Sequence, residues 1–222
     1  MTLRVAVLCS GNGSNLQALL DRIATGHVHA QVVLVASDKP DALALERARK
    51  AKVPAILALP PEPGEKRAAY DARLLDAVQA AKPDLVVLAG YMRIAGPTIT
   101  SAFAGRLINI HPSLLPQFKG LDAVGQAHAA KVVQTGCSTH LVTQDLDGGP
   151  LLLQAGLKLH PWESVDELRK RVLALEHLLL PRTVQLFAEG RVVDGQVTAG
   201  KSTWTTANDL EFVSGAWYSE GF

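Results

Sequence analysis

Five short apolar runs in this chain have no polar face. They are "LRVAVLCS" (3–10), "AQVVLVAS" (30–37), "VPAILAL" (53–59), "DLVVLAG" (84–90) and "RLINI" (106–110), with helix-forming stretches between them. A strand with one wet face alternates polar and apolar residues, whereas a continuously apolar strand is covered on both sides. Strand and helix in alternation therefore predict a parallel sheet between two helical layers. "NLQALLDRIATG" sets Leu16, Leu19, Leu20 and Ile23 on one helix face and closes at Gly26. "DALALERARKAK" and "AAYDARLLDAVQAAK" read as two more helices, the second stopped by Pro83, with "PPEPGEKR" as a loop between them. After about residue 136 the rhythm changes. "CSTHLVTQDLDGGPLLLQAGLKL" reads as two strands around a Gly-Gly-Pro turn, an antiparallel edge of the same sheet. A long helix follows over "SVDELRKRVLALEHLLL", with Ser164 and Glu167 in capping-box spacing and Pro181 near its end. "GRVVDGQVTAG" then predicts a hairpin on an Asp-Gly turn. The expected fold is α/β: a mostly parallel, Rossmann-like twisted sheet with helices on both faces and an antiparallel edge. Residues 1–193 are expected to form the main domain, with 194–222 as a tail or hairpin packed on it.

Composition narrows the function. A formal net charge of +1 over 222 residues gives no sign of a nucleic-acid or membrane partner, and points to a small substrate. The two cysteines, Cys9 and Cys137, have no CxxC spacing, so neither a disulfide scaffold nor a metal site is expected. The first apolar run is too short to span a membrane and lacks the layout of a signal peptide, so a cytoplasmic protein is expected. The oligomeric state is open, a homodimer included.

In open α/β sheets ligands bind at the carboxyl ends of the strands, and three motifs lie there. "SGNGSNLQ" (10–17) leaves the first strand and opens the first helix, so its backbone amides and the helix N-terminus suit an anion. It is not GxGxxG and lacks a P-loop lysine, which favours a single phosphate over a dinucleotide or nucleoside triphosphate. The plainer alternative is a tight turn with Ser14 or Asn15 as N-cap. In "NIHPSLLP", Asn109 and His111 are two apart and leave the same face of a strand. An amide beside an imidazole suits a developing oxyanion and a proton in transit, although a lone strand-end His is more often structural. "QDLDGGP" (144–150) supplies Asp145 and Asp147, and a carboxylate against His111 would favour the imidazolium; Asp before Gly-Gly is also an ordinary turn. Glu176 interrupts a Leu-rich helix face, and "GYMRIAG" (90–96) follows the strongest strand. His27, His29, His128 and His160 show no ligand spacing.

Taken in order, "VLCSGNGSNLQAL", "LAGYMRI", "GRLINIHPSLLP" and "DLDGGPLLLQ" resemble the glycinamide ribonucleotide formyltransferase family, with supporting matches over about residues 3–193. The resemblance implies formyl transfer from 10-formyltetrahydrofolate, a co-substrate, to the amine of glycinamide ribonucleotide, with no metal. It implies catalytic roles for Asn109, His111 and Asp147, phosphate binding by the backbone of Gly13, Ser14 and Asn15, and ribose contact by Glu176. It assigns Arg67, Met92, Arg93, Ile94, Ala95, Leu107 and Asn109 to the folate pocket. Two places depart from the family's usual pattern: Asp122-Ala123-Val124 stands where His and Arg are expected, and Leu173 where a polar residue is common. A tRNA-directed formyltransferase would need a further domain and a basic surface, and a formylfolate hydrolase an N-terminal regulatory domain. A non-catalytic binder would not need Asn109, His111 and Asp147 together. A dinucleotide oxidoreductase would need the missing glycine fingerprint.

Overall fold

The computed structural model describes residues 2–198, and the alternation of apolar run and helix becomes layers there. β1 (Leu3–Cys9) leads into α1 (Ser14–Ala24), β2 (Ala30–Ser37) into α2 (Leu43–Lys50), β3 (Ala55–Ala58) into α3 (Arg67–Ala80), and β4 (Leu85–Leu88) into α4 (Pro97–Ala102). Next come β5 (Leu107–His111), α5 (Ala123–Ala129), β6 (Gln134–Leu141), β7 (Leu151–Lys158) and α6 (Val165–Ala188). A hairpin of β8 (Val192–Val193) and β9 (Gln196–Val197) turns on Asp194-Gly195; the rest of the expected tail, 199–222, lies outside the described residues. The large sheet has the order β3-β2-β1-β4-β5-β6-β7. Its pairs from β3 to β5 are parallel, and β6 runs antiparallel to β5 and to β7, which is the expected antiparallel edge.

Alternate residues of β1 feed two cores. Val5, Val7 and Cys9 join the cluster that holds α1, α2 and α6, while Ala6 and Leu8 join the one that holds α3 and α4. Leu16 and Leu19 of α1 are fully buried, and each such side chain contributes about 2 kcal/mol. Packing therefore holds α1 to the sheet, and its first turn can do without a cap. Indeed the N-cap is Gly13, in the left-handed region at φ 72°, with no side-chain cap; the expected Ser14 or Asn15 cap is not formed.

Other differences have physical causes. The short helices α4 and α5 are not evident in the sequence: each is little more than a turn or two, too brief to show a period. α6 runs through Pro181 to Ala188, beyond the expected end. Proline removes one helical hydrogen bond, but Leu175, Leu179, Leu180 and Val184 on either side of it are buried in the sheet's core, and that packing sustains the helix.

Candidate active site

The sheet order reverses between β1 and β4, since β2 lies on the other side of β1. The connections leaving the two strands part there and open a crevice. A cavity of about 720 Å³ occupies it, lined by the loop after β1, the segment after β4, the end of β5, the loop after β6 and one face of α6.

At one end lie Gly13, Ser14 and Asn15. Among the described residues, none of the backbone amides from Gly11 to Asn15 donates a hydrogen bond, so a row of N–H groups at an uncapped helix N-terminus is available to an anion. Asn15 Nδ2 donates to Glu176 Oε2 at 2.8 Å, and Asn15 Oδ1, also buried, has no partner. Burial pushes the Glu176 carboxyl up to about 7, the Asn15 bond opposing it. Leu173, one helical turn earlier, lines the same wall.

At the centre, the structure brings Asn109, His111 and Asp147 together. Asn109 and His111 leave the same face of β5, and Asp147 comes from the loop after β6 with a left-handed backbone, φ 46°. Asp147 Oδ2 lies 3.4 Å from His111 Nδ1 and accepts from the Gly120 amide at 2.8 Å. Asp147 Oδ1 accepts from Asn109 Nδ2 at 3.5 Å. His111 Nε2 meets the Phe118 carbonyl at 2.9 Å. Both ring nitrogens of His111 thus face oxygen acceptors, and only the doubly protonated ring can donate to both. Burial works against the Asp147 carboxylate, but His140, the Gly120 amide and His111 outweigh it and hold its pKa below the ordinary range. Asp145, the other carboxylate of the turn, is exposed.

His140 belongs to this group and was not singled out in the sequence. Its Nδ1 bonds the Leu141 carbonyl at 2.9 Å, and its Nε2 lies 3.2 Å from Asn109 Nδ2 and 3.5 Å from Asp147 Oδ1. With Nδ1 directed at the Leu141 carbonyl, His140 Nε2 sits between the Asn109 amide and the Asp147 carboxylate: a bare Nε2 accepts from the amide and turns its nitrogen inward toward the cluster, and a protonated Nε2 donates to the carboxylate. The signal was the register: His140, itself buried, sits directly opposite Asn109 in the β5–β6 pair.

Toward the mouth, Met92, Arg93, Ile94 and Ala95 line the cavity. The Met92 amide donates to Ser10 Oγ at 2.8 Å, and the Arg93 guanidinium sits 4.1 Å over the Tyr70 ring, so this segment is tied to the loop after β1 and to α3. Met92, Ile94, Leu121 and Leu146 are exposed apolar residues gathered at one opening, as expected for a flat hydrophobic ligand. Two expected pocket residues are not on its wall. Leu107 is two residues deeper along β5 and buried against α3 and α4, and Arg67, at the start of α3, sets its side chain beside Gly96 and Asp71, next to Ala95 of the wall. In the atypical stretch, Asp122 caps α5 through the Gly125 amide and pairs with Arg169 at 2.7 Å. Among the described residues no group of three or more His, Cys, Asp or Glu is placed to hold a metal ion, and no helix is long and apolar enough to cross a membrane.

The model of a family described as formyl transferase matches residues 3–184. A phosphoribosylglycinamide formyltransferase of Escherichia coli (strain K12) is 44% identical over 190 residues, covering 86% of this chain and 89% of its own. The crystal structure of glycinamide ribonucleotide transformylase 1 from Symbiobacterium toebii superimposes with a TM-score of 0.83 at 45% identity, covering 89% of this chain and 93% of that one. A phosphoribosylglycinamide formyltransferase from Coxiella burnetii, solved in complex with CHES, gives 0.84 at 40% identity with the same two coverages.

Proposed function

The chain belongs to the formyl transferase family, and from that premise we propose that it is a phosphoribosylglycinamide formyltransferase of purine biosynthesis, moving the formyl group of 10-formyltetrahydrofolate to the amine of glycinamide ribonucleotide. The observation that carries this reading is one cavity with an amide-lined anion site at one end, the Asn109–His111–Asp147 cluster at its centre and an apolar mouth. The substrate phosphate takes the amides of Gly13, Ser14 and Asn15. Glu176 and the unpartnered Asn15 Oδ1 face the ribose hydroxyls. The folate ring system enters between the 92–95 segment and Leu146.

The amine attacks the formyl carbon, a C–N bond forms, and the carbonyl oxygen becomes an oxyanion. Asn109 Nδ2, exchanging its long 3.5 Å bond to Asp147 for the oxyanion, and the His111 imidazolium stabilise that charge; one such donor contributes about 10²–10³ in rate. The bond from the formyl carbon to the folate nitrogen then breaks, and the proton shed by the attacking amine ends on that nitrogen, relayed through His111 or a water held by Asp147. Asp147, held as the carboxylate by its depressed pKa, faces His111 Nδ1 and favours the imidazolium as the oxyanion develops. The reading includes a cytoplasmic location, which suits the two buried free thiols, Cys9 and Cys137.

The test is a spectrophotometric assay of tetrahydrofolate release by wild type and His111→Ala. Turnover that requires both substrates and falls by roughly 10² or more in the variant supports the reading. Formate release without the ribonucleotide would make water the acceptor and defeat it.

A further inference from the structure

The anion loop does not hold its own shape. Three consecutive carbonyls are bonded from behind: Gly11 O by the Ala44 amide at 3.2 Å, Asn12 O by Arg47 Nε at 2.8 Å, and Gly13 O by the Gln17 amide at 2.9 Å. A peptide unit is planar, with its carbonyl and the following N–H pointing opposite ways. Holding those three carbonyls on the far side therefore turns the amides of Asn12, Gly13 and Ser14 toward the cavity. Two of the three ties are backbone to backbone. The middle one is a side chain reaching from α2, and it does more than one thing. Arg47 Nη2 donates to Asn12 Oδ1 at 2.9 Å, and Nη1 to Gln17 Oε1 at 3.3 Å, so one guanidinium grips the 12–13 peptide, the Asn12 side chain and the first turn of α1.

We propose that Arg47, which does not line the cavity, is the positioning residue that makes this loop a phosphate site and sets the preference of the enzyme for a phosphorylated substrate. Three further observations agree. No carboxylate lies within ion-pair distance of Arg47 among the described residues, so its charge stands behind the loop unneutralised and adds to the field of the α1 N-terminus. That charge reaches the neighbouring His177, whose pKa is lowered by burial and then by Arg47. Gly13 is packed so closely on Ala44 that a Cβ would collide, so the loop lies directly against α2, the helix that carries Arg47. Arg47 touches no substrate atom: it acts through Asn12. The inference rests on the reading of this loop as the phosphate end of the substrate site.

The experiment compares glycinamide ribonucleotide with glycinamide riboside, the same molecule without its phosphate, in wild type, Arg47→Met and Arg47→Lys. Removing a charged hydrogen-bond donor from the loop should cut the nucleotide-over-riboside ratio of kcat/KM by roughly tenfold or more. The loss should sit in KM for the nucleotide, with kcat, the folate KM and the riboside kcat/KM holding within about twofold. Arg47→Lys keeps a charge but cannot bridge a carbonyl and an amide oxygen in one plane, so it should fall between the two. Should Arg47→Met fail to fold, Asn12→Ala, which removes one of the gripped oxygens, must move the ratio in the same direction. An unchanged ratio in Arg47→Met overturns the proposal, and so does an equal loss on both substrates or a shift in the folate KM, the mark of a merely structural residue. A wild type with no preference for the nucleotide would instead overturn the phosphate reading of the loop itself.

Discussion

Glu176→Gln tests the chemistry of the ribose end, and its magnitude can be worked from the structure. Glu176 is buried, and one amide, Asn15 Nδ2 at 2.8 Å, is the hydrogen bond it accepts. Burial lifts its pKa from 4.5 to about 7. Below the lower value the folded and unfolded chains both carry the neutral acid. Between the two values the folded chain holds a proton that the unfolded chain has lost, so stability falls as pH rises through this window, and above the upper value the full cost is present. A shift of this size corresponds to about 3 kcal/mol. Water entering the cavity lowers that figure, so it is an upper limit.

Glutamine keeps an oxygen for Asn15 and carries no charge at any pH. Without ligands, the melting-temperature gain of Glu176→Gln over wild type should be small at pH 5, grow to about pH 7 and level off by pH 8. At about 2–4 °C per kcal/mol for a domain of this size, the growth amounts to roughly 6–12 °C at most. Thermal unfolding followed by circular dichroism at four pH values reads it directly. Substrate should behave oppositely: hydroxyl donors prefer the ionised form, so wild-type KM for the nucleotide should improve above pH 7 relative to the variant's. A melting difference that stays level from pH 5 to pH 8 would show that the carboxyl is not desolvated and would refute the reasoning.

Gly13→Ala places a methyl group against Ala44 at a residue with φ 72°. Left-handed strain and overpacking together should cost about 2–4 kcal/mol in urea unfolding and raise the nucleotide KM while sparing the folate KM. His140→Leu removes the acceptor that turns the Asn109 amide and one partner of Asp147, so kcat should fall roughly ten- to a hundredfold with both KM values little changed; His140→Gln, which restores an acceptor, should recover part of it. Single-turnover rates at saturating substrates check this, and a kcat within about twofold of wild type would leave His140 without a role in positioning Asn109.

The layers were legible because burial on both faces leaves a pattern that needs no long-range knowledge: β1, β2 and β4 are apolar at nearly every position, and few folds other than a helix-covered parallel sheet can use such strands. Asn109 and His111 were legible for a similar reason, being polar side chains at the exit of a buried strand. Leu107 shares their alternation but lies toward the start of β5, inside the helical layer, and alternation alone carries no depth. How α3 approaches the 92–96 segment depends on the close fit of Asp71 and Arg67 around Gly96, residues that look ordinary where they stand.

What escaped the sequence are the residues that position others from across the fold. His140 acquires meaning only when β6 pairs antiparallel with β5 in the register that sets it opposite Asn109; shifted by one residue, the same strand would turn that side chain to the other face. Phe118 and Gly120 act through a backbone carbonyl and a backbone amide, so their side chains record nothing of what they do for His111 and Asp147. Arg47 lies on a surface helix in "LERARK", where a basic residue is the expected occupant of a solvated face. A reacting group must have a particular chemistry and so marks the sequence. The groups that hold it in place can be any that reach, and only the fold tells which ones do.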